Sequence, residues 1–155
     1  MEEKKLAGRC IRMSLQHNRT AELWQGFMLQ RKQMTTGTGD VLYSLQRYDP
    51  GYFSAFDPAT EFDKWAAAEV SSFEDIPEGM QPLLLPAGLY AVFLHKGAQL
   101  TAARSFAYIF GAWLPGSAYE LDERLHFELL DARYRNNDPD SEEEIWIPVR
   151  PKVQL

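Results

Sequence analysis

Residues 144–149 read Glu144-Ile145-Trp146-Ile147-Pro148-Val149 and follow a turn-rich stretch, Asn136-Asn137-Asp138-Pro139-Asp140. β-Branched residues at alternate positions after such a turn predict a strand from Glu143 to Val149. Side chains alternate along a strand, so Ile145, Ile147 and Val149 form one row while Glu144, Trp146 and Pro148 face the other way. The aliphatic row suits packing under helices. The opposite row sets a carboxylate beside an indole, which is unusual for a core face.

Working backwards, Leu125 to Tyr134 reads as a strand with Leu125, Phe127 and Leu129 on one face. Ala102, Phe106, Ile109, Phe110 and Trp113 mark one face of a helix that Pro115-Gly116 ends. Pro86-Ala87-Gly88 opens a strand, Leu89 to His95, whose two apolar faces predict a central position. Ahead of it, Phe73 to Pro82 is the one linker candidate. The first part of the chain has the same plan. Leu6 to Leu15 is strand-like, and Asn18 and Thr20 offer capping oxygens to a helix carrying Leu23, Trp24, Phe27 and Met28 as far as Lys32. Thr36 to Asp40 reads as a turn, and Val41 to Tyr48 and Phe62 to Ser71 as strands.

Within one domain, 1–155, residues 6–72 and 83–150 thus each read strand-helix-strand-strand. Ala7-Gly8 recurs as Ala87-Gly88, 80 positions on, and Glu69-Val70 as Glu144-Ile145, 75 positions on. The expected fold is α+β: duplicated βαββ units forming antiparallel sheet, with helices on one face and a central ligand cleft on the other. In the strand 62–71, Asp63, Trp65, Ala67 and Glu69 share a face. Each half therefore puts a Glu and a Trp away from its aliphatic row, and a pseudo-twofold arrangement would line one groove with both pairs.

The chain has 155 residues, with 16 Lys plus Arg against 22 Asp plus Glu, a net charge of −6. That balance argues against nucleic-acid binding, which draws on cations against phosphate. One cysteine, Cys10, excludes an internal disulfide and a multi-thiolate zinc site, and His17, His95 and His126 have no metal-ligand spacing. No metal and no cofactor is expected. The start leads into no long apolar segment, and the stretch 83–94 is broken by Pro86 and Gly88, so neither a signal peptide nor a membrane span is expected. A cytoplasmic protein is the plain reading.

A carboxylate among aromatic rings attracts a cation that also stacks on those rings. At about 4 Å and an effective dielectric near 20 the Coulomb energy is roughly 4 kcal/mol before desolvation, and each cation–π contact adds ~0.5–2 kcal/mol. Simpler readings stand beside this one. Glu142-Glu143-Glu144 also reads as a solvated charge run, and Glu69 as a structural carboxylate. Trp24 and Trp113 lie at core spacing, and Tyr48, Tyr90, Tyr108 and Tyr119 fit ordinary amphipathic positions. There is no Gly-x-Ser-x-Gly elbow and no phosphate loop.

Several segments together resemble GyrI-like small-molecule-binding domains, the effector modules of AraC-type and MerR-type regulators. They are Leu85-Pro86-Ala87-Gly88-Leu89-Tyr90-Ala91-Val92-Phe93, Trp113-Leu114-Pro115-Gly116-Ser117-Ala118-Tyr119, His126-Phe127-Glu128 and Glu144 to Val149. The resemblance covers nearly the whole chain and is most specific from Leu85 to Val149. It implies a cleft in which Glu144 meets a lipophilic, cationic aromatic molecule, with Trp146 as a wall and Tyr119, Tyr90 and Trp113 as aromatic contacts. Glu69 rests on the internal repeat alone. The regulators carry a DNA-binding domain ahead of this module. Residues 1–155 are read as the module only, so transcriptional control would need a partner protein. The same resemblance leaves two alternatives: a cofactor-free hydrolase of cyclopropane-type electrophiles using Glu144, and a protein-interaction module acting on DNA gyrase or a regulator.

Overall fold

The computed structural model describes residues 1–98, 102–136 and 138–153. Asn137 of the turn and the last two residues of the expected domain lie outside the described residues. In chain order the elements are β1 (Lys4–Met13), α1 (Thr20–Gln30), β2 (Gly37–Arg47), β3 (Phe62–Val70), β4 (Gln81–Leu85), β5 (Tyr90–Lys96), α2 (Ala102–Tyr108), β6 (Tyr119–Leu121), β7 (His126–Leu130) and β8 (Glu142–Pro151). A π-helical turn, Ile109–Trp113, extends α2 into one further turn, Leu114–Gly116.

The sheet runs β4-β1-β3-β2-β7-β8-β5, every pair antiparallel, and β6 pairs with the end of β8. The order β1-β3-β2 on one side of the β2/β7 seam is mirrored by β5-β8-β7 on the other. This is the duplicated α+β architecture the sequence predicts. The Ala-Gly repeat meets different neighbours in its two halves, fixed backbone at Gly8 and a movable side-chain end at Gly88. A Cβ on Gly8 would collide with the Ala66 carbonyl, and one on Gly88 with the Arg124 guanidinium.

The helices cover one face. Leu23 and Phe27 of α1 pack on Ala66 and Ala68 of β3, whose short side chains let the helix approach closely. Ile109 packs on Ile145, Ile147 and Val149 of β8, with Phe106 and Phe110 beside it. On the same face lies a buried polar group. Lys64 and Gln46 are buried, Gln46 donates to Glu128 at 3.0 Å, and Glu143 is buried with one oxygen unpartnered. Burial pushes the Lys64 ammonium down, partly offset by Glu128 and Glu143. Burial, reinforced by Glu128 and opposed by Lys64, pushes Glu143 up to about 7.

The other face is concave, as chain length requires. A flat seven-strand sheet sets its edges roughly 29 Å apart. Yet β4 and β5, the two edges, are joined by Pro86 to Leu89, a reach of at most about 18 Å from Leu85 to Tyr90. The sheet therefore curls. The Met1 ammonium donates to the Gly88 carbonyl at 2.9 Å, and the Gly88 N–H to the Met1 carbonyl at 3.1 Å, fastening the connection. Part of the concave face is filled by a core drawn from both halves, including Leu6, Tyr43, Trp65, Leu85 and Phe127.

Four sequence expectations are corrected. The strand starting near Leu89 is an edge, not central: its second apolar face carries Val92 and Leu94, 46% and 57% exposed. The linker candidate ends in β4, which adds an outer strand beside β1. The turn at 37–40 is the start of β2, with an irregularity before Leu42 and Gly39 at φ 154°. The strand read to Tyr134 stops at Leu130.

Candidate functional site

The alternation on β8 separates two neighbouring carboxylates. Glu143 goes under the helices, and Glu144 goes to the concave face, where its side chain is 26% exposed. Cross-strand pairing fixes what surrounds it. Glu144 lies opposite Leu94 of β5 and Leu129 of β7, and Trp146 lies opposite Val92 and Phe127. Directly opposed residues project to the same face. The result is a shelf of exposed aliphatic carbon and an indole around one carboxylate.

Trp146 is the wall of this shelf. Its ring stacks on Phe127 at 5.2 Å and 16°, and meets Tyr90 edge-on at 5.8 Å. Its Nε1–H donates to Glu144 Oε1 at 2.9 Å, so indole and carboxylate orient each other. The other oxygen, Oε2, accepts from Arg133 Nη2 at 2.7 Å. Arg133 also donates to both oxygens of Asp131, at 2.7 Å in the shortest contact. The guanidinium thus bridges two carboxylates, and Asp131 first, then Glu144, holds it protonated. Tyr90 is fixed by its hydroxyl, which donates to the Leu125 carbonyl at 3.2 Å, and by Arg124 stacked 4.6 Å above its ring.

Tyr43, on the central strand β2, lies opposite Ala67 and Leu129 on this face. Burial, then Glu69, then Glu144 push its hydroxyl up to about 12, so it feels the two repeat-related carboxylates at once. Glu69 is half-buried and meets Lys4 at 3.9 Å.

The structure therefore brings Glu144, Trp146 and Tyr90 together and puts Glu69 on the same face across Tyr43. It does not bring Trp113 and Tyr119 to them. That pair stacks at 6.5 Å and 8°, Trp113 meets Phe93 edge-on at 5.0 Å, and Tyr119 packs on the core of the helix side. Trp65, the second indole of the expected groove, is buried at 5% exposure with its N–H unpartnered. Val92, Leu94, Tyr43 and Arg133 are the members that sequence reasoning missed. The apolar alternation of β5 holds the first two, but by itself it predicts a central strand.

Among the described residues no group of three or more His, Cys, Asp or Glu gathers as for a metal ion, and no helix is long and apolar enough to cross a membrane. A cleft of about 490 Å³ lies away from Glu144, between the β2–β3 loop and the β6–β7 turn.

Residues 1–150 match the family model of the GyrI-like small molecule binding domain. The transcriptional regulator BrlR of Pseudomonas aeruginosa is 34% identical over 131 residues, which are 83% of this chain and 45% of that protein. The chain thus spans less than half the length of this curated relative. Among solved structures, SAV2435 bound to tetraphenylphosphonium superposes with a TM-score of 0.72 at 17% identity, over 97% of this chain and 90% of that one. The C-terminal domain of EcmrR gives 0.72 at 14% identity, over 98% and 94%. These two likenesses establish the same fold.

Proposed function

This chain belongs to the GyrI-like small-molecule-binding domains, and from that premise we propose that it captures lipophilic aromatic cations on the concave shelf of its second half. One observation carries the reading: Glu144 stands partly exposed between Leu94, Leu129 and Trp146, with a guanidinium already seated on it. The site accepts a delocalised cation of this chain's own, and the surrounding carbon favours a greasier one. Aromatic groups of the ligand lie on Val92, Leu94 and the face of Trp146, with Tyr90 supporting the indole from behind. The charge goes to Glu144, displacing Arg133, which Asp131 retains. Glu69 adds a longer-range attraction across Tyr43. Trp113 and Tyr119 act from the other side of the sheet by supporting β5 and β6. The tetraphenylphosphonium complex of a protein with this fold supports the ligand class, and kinship to a regulator supports a sensing role.

Titration of the intrinsic tryptophan fluorescence with tetraphenylphosphonium and with neutral triphenylphosphine oxide tests the proposal. Saturable quenching by the cation, with binding of the oxide weaker by about tenfold, is expected for a pocket built on one carboxylate. Equal or tighter binding of the neutral molecule would overturn it.

A further inference from the structure

The 490 Å³ cleft lies at the other end of the sheet from Glu144, in the size range of small-molecule pockets. It has a stacked aromatic wall: Phe53 lies on the His126 ring at 5.5 Å and 23°, with Tyr52 beside Phe53 at 5.0 Å. His126 lies under Phe53 and is 5% exposed. Burial pushes it down to about 3, so it offers a neutral donor and acceptor at neutral pH.

The charged groups around this wall are unequally engaged. Asp49 accepts from Arg12 at 2.7 Å. Asp122 accepts from Arg124 at 2.9 Å and pairs with Arg150 at 3.6 Å. Glu123 is exposed at the rim. Among the cations, Arg47 makes no side-chain hydrogen bond or ion pair with any described residue. Arg124 keeps its Nη1 buried without a partner. The free capacity of the cleft interior is therefore one of donors, beside a flat ring surface.

We infer that this cleft is a second ligand site, selective for planar aromatic carboxylates, with the ring on the open face of Phe53, which His126 backs, and the carboxylate on Arg47. Its charge sense is opposite to that of the Glu144 shelf, and the two share no lining residue. Arg is suited to this role because its planar fork matches a carboxylate in two parallel hydrogen bonds.

Isothermal titration of the full chain with 2-naphthoate, and with 2-naphthamide as the neutral control, tests the inference. The expected result is saturable one-to-one binding of the naphthoate, weakened about fivefold or more by Arg47→Gln and by Phe53→Ala. It should be unaltered by Glu144→Gln or by saturating tetraphenylphosphonium. Both cleft side chains are exposed enough for the variants to fold, which circular dichroism checks. No saturation at millimolar naphthoate would overturn the inference. So would naphthoate binding indifferent to both cleft variants, or displaced by tetraphenylphosphonium. Absence of naphthoate binding, or indifference to the cleft variants, leaves the reading of the Glu144 shelf untouched; that reading fails separately, on the cation titration.

Discussion

The two halves of the sheet start from the same pattern and end differently. Each carries a Trp and a Glu on the concave face: Trp65 and Glu69 on β3, Glu144 and Trp146 on β8. In the first half the outer edge of β1 is occupied by β4, whose Leu83 and Leu85 pack in the core that buries Trp65. In the second half nothing among the described residues pairs with the outer edge of β5, and Val92 and Leu94 stay open beside Trp146. One extra strand decides the difference. The covered copy is core, and the uncovered copy is the surface proposed to bind ligand.

The largest expected effect separates the two indoles. Trp65→Ala should cost ~3–5 kcal/mol of unfolding free energy, the range for deleting a buried aromatic. Trp146→Ala should cost well under half of that while weakening binding of tetraphenylphosphonium about tenfold. Denaturant unfolding and fluorescence titration on both variants read this directly. Equal destabilisation by the two would break the comparison.

The next effect sharpens the contrast between the two faces of β8. Glu143, raised to about 7, holds its proton in the folded protein over the range where an unfolded carboxyl has lost it. It therefore makes stability fall as pH rises from about 4.5 to about 7. His126, lowered to about 3, does the reverse: stability rises with pH from about 3 to about 6.5. The two slopes oppose each other over the shared interval. Glu143→Gln should leave the rise from His126 alone, up to about 1.4 kcal/mol per pH unit. Thermal melts across pH check it, and an unchanged profile would contradict the buried carboxylate. Ligand binding should not move in this variant, because Glu143 faces the helices.

A smaller effect concerns Arg133. If it is the resident cation of Glu144, Arg133→Gln removes a competitor and should tighten tetraphenylphosphonium binding about two- to fivefold, the scale of an exposed ion pair. Weaker binding would make Arg133 part of the ligand's support instead.

Much of this was legible in the sequence, because period-two alternation is a strong signal wherever one face is buried. Ile145, Ile147 and Val149 marked the helix side correctly, and the same alternation set Glu144 and Trp146 opposite. It failed where two environments ask for the same residue type. Val92 and Leu94 look like core, whether a helix or a ligand covers them. The register of β6 on β8 sends Tyr119 to the helix side, and Trp113 lies in the π-helical turn that follows α2 on that same side. Arg133 had no signal at all, since its role depends on how the turn after β7 carries it back to Glu144.

In this proposal the second half alone holds the cation site, through Glu144. The most direct measurement compares tetraphenylphosphonium affinity for the unaltered protein, Glu144→Gln and Glu69→Gln. The expected loss is about tenfold for Glu144→Gln and no more than about twofold for Glu69→Gln, with both variants folded. Undiminished binding to Glu144→Gln, or an equal loss in the two variants, would contradict it.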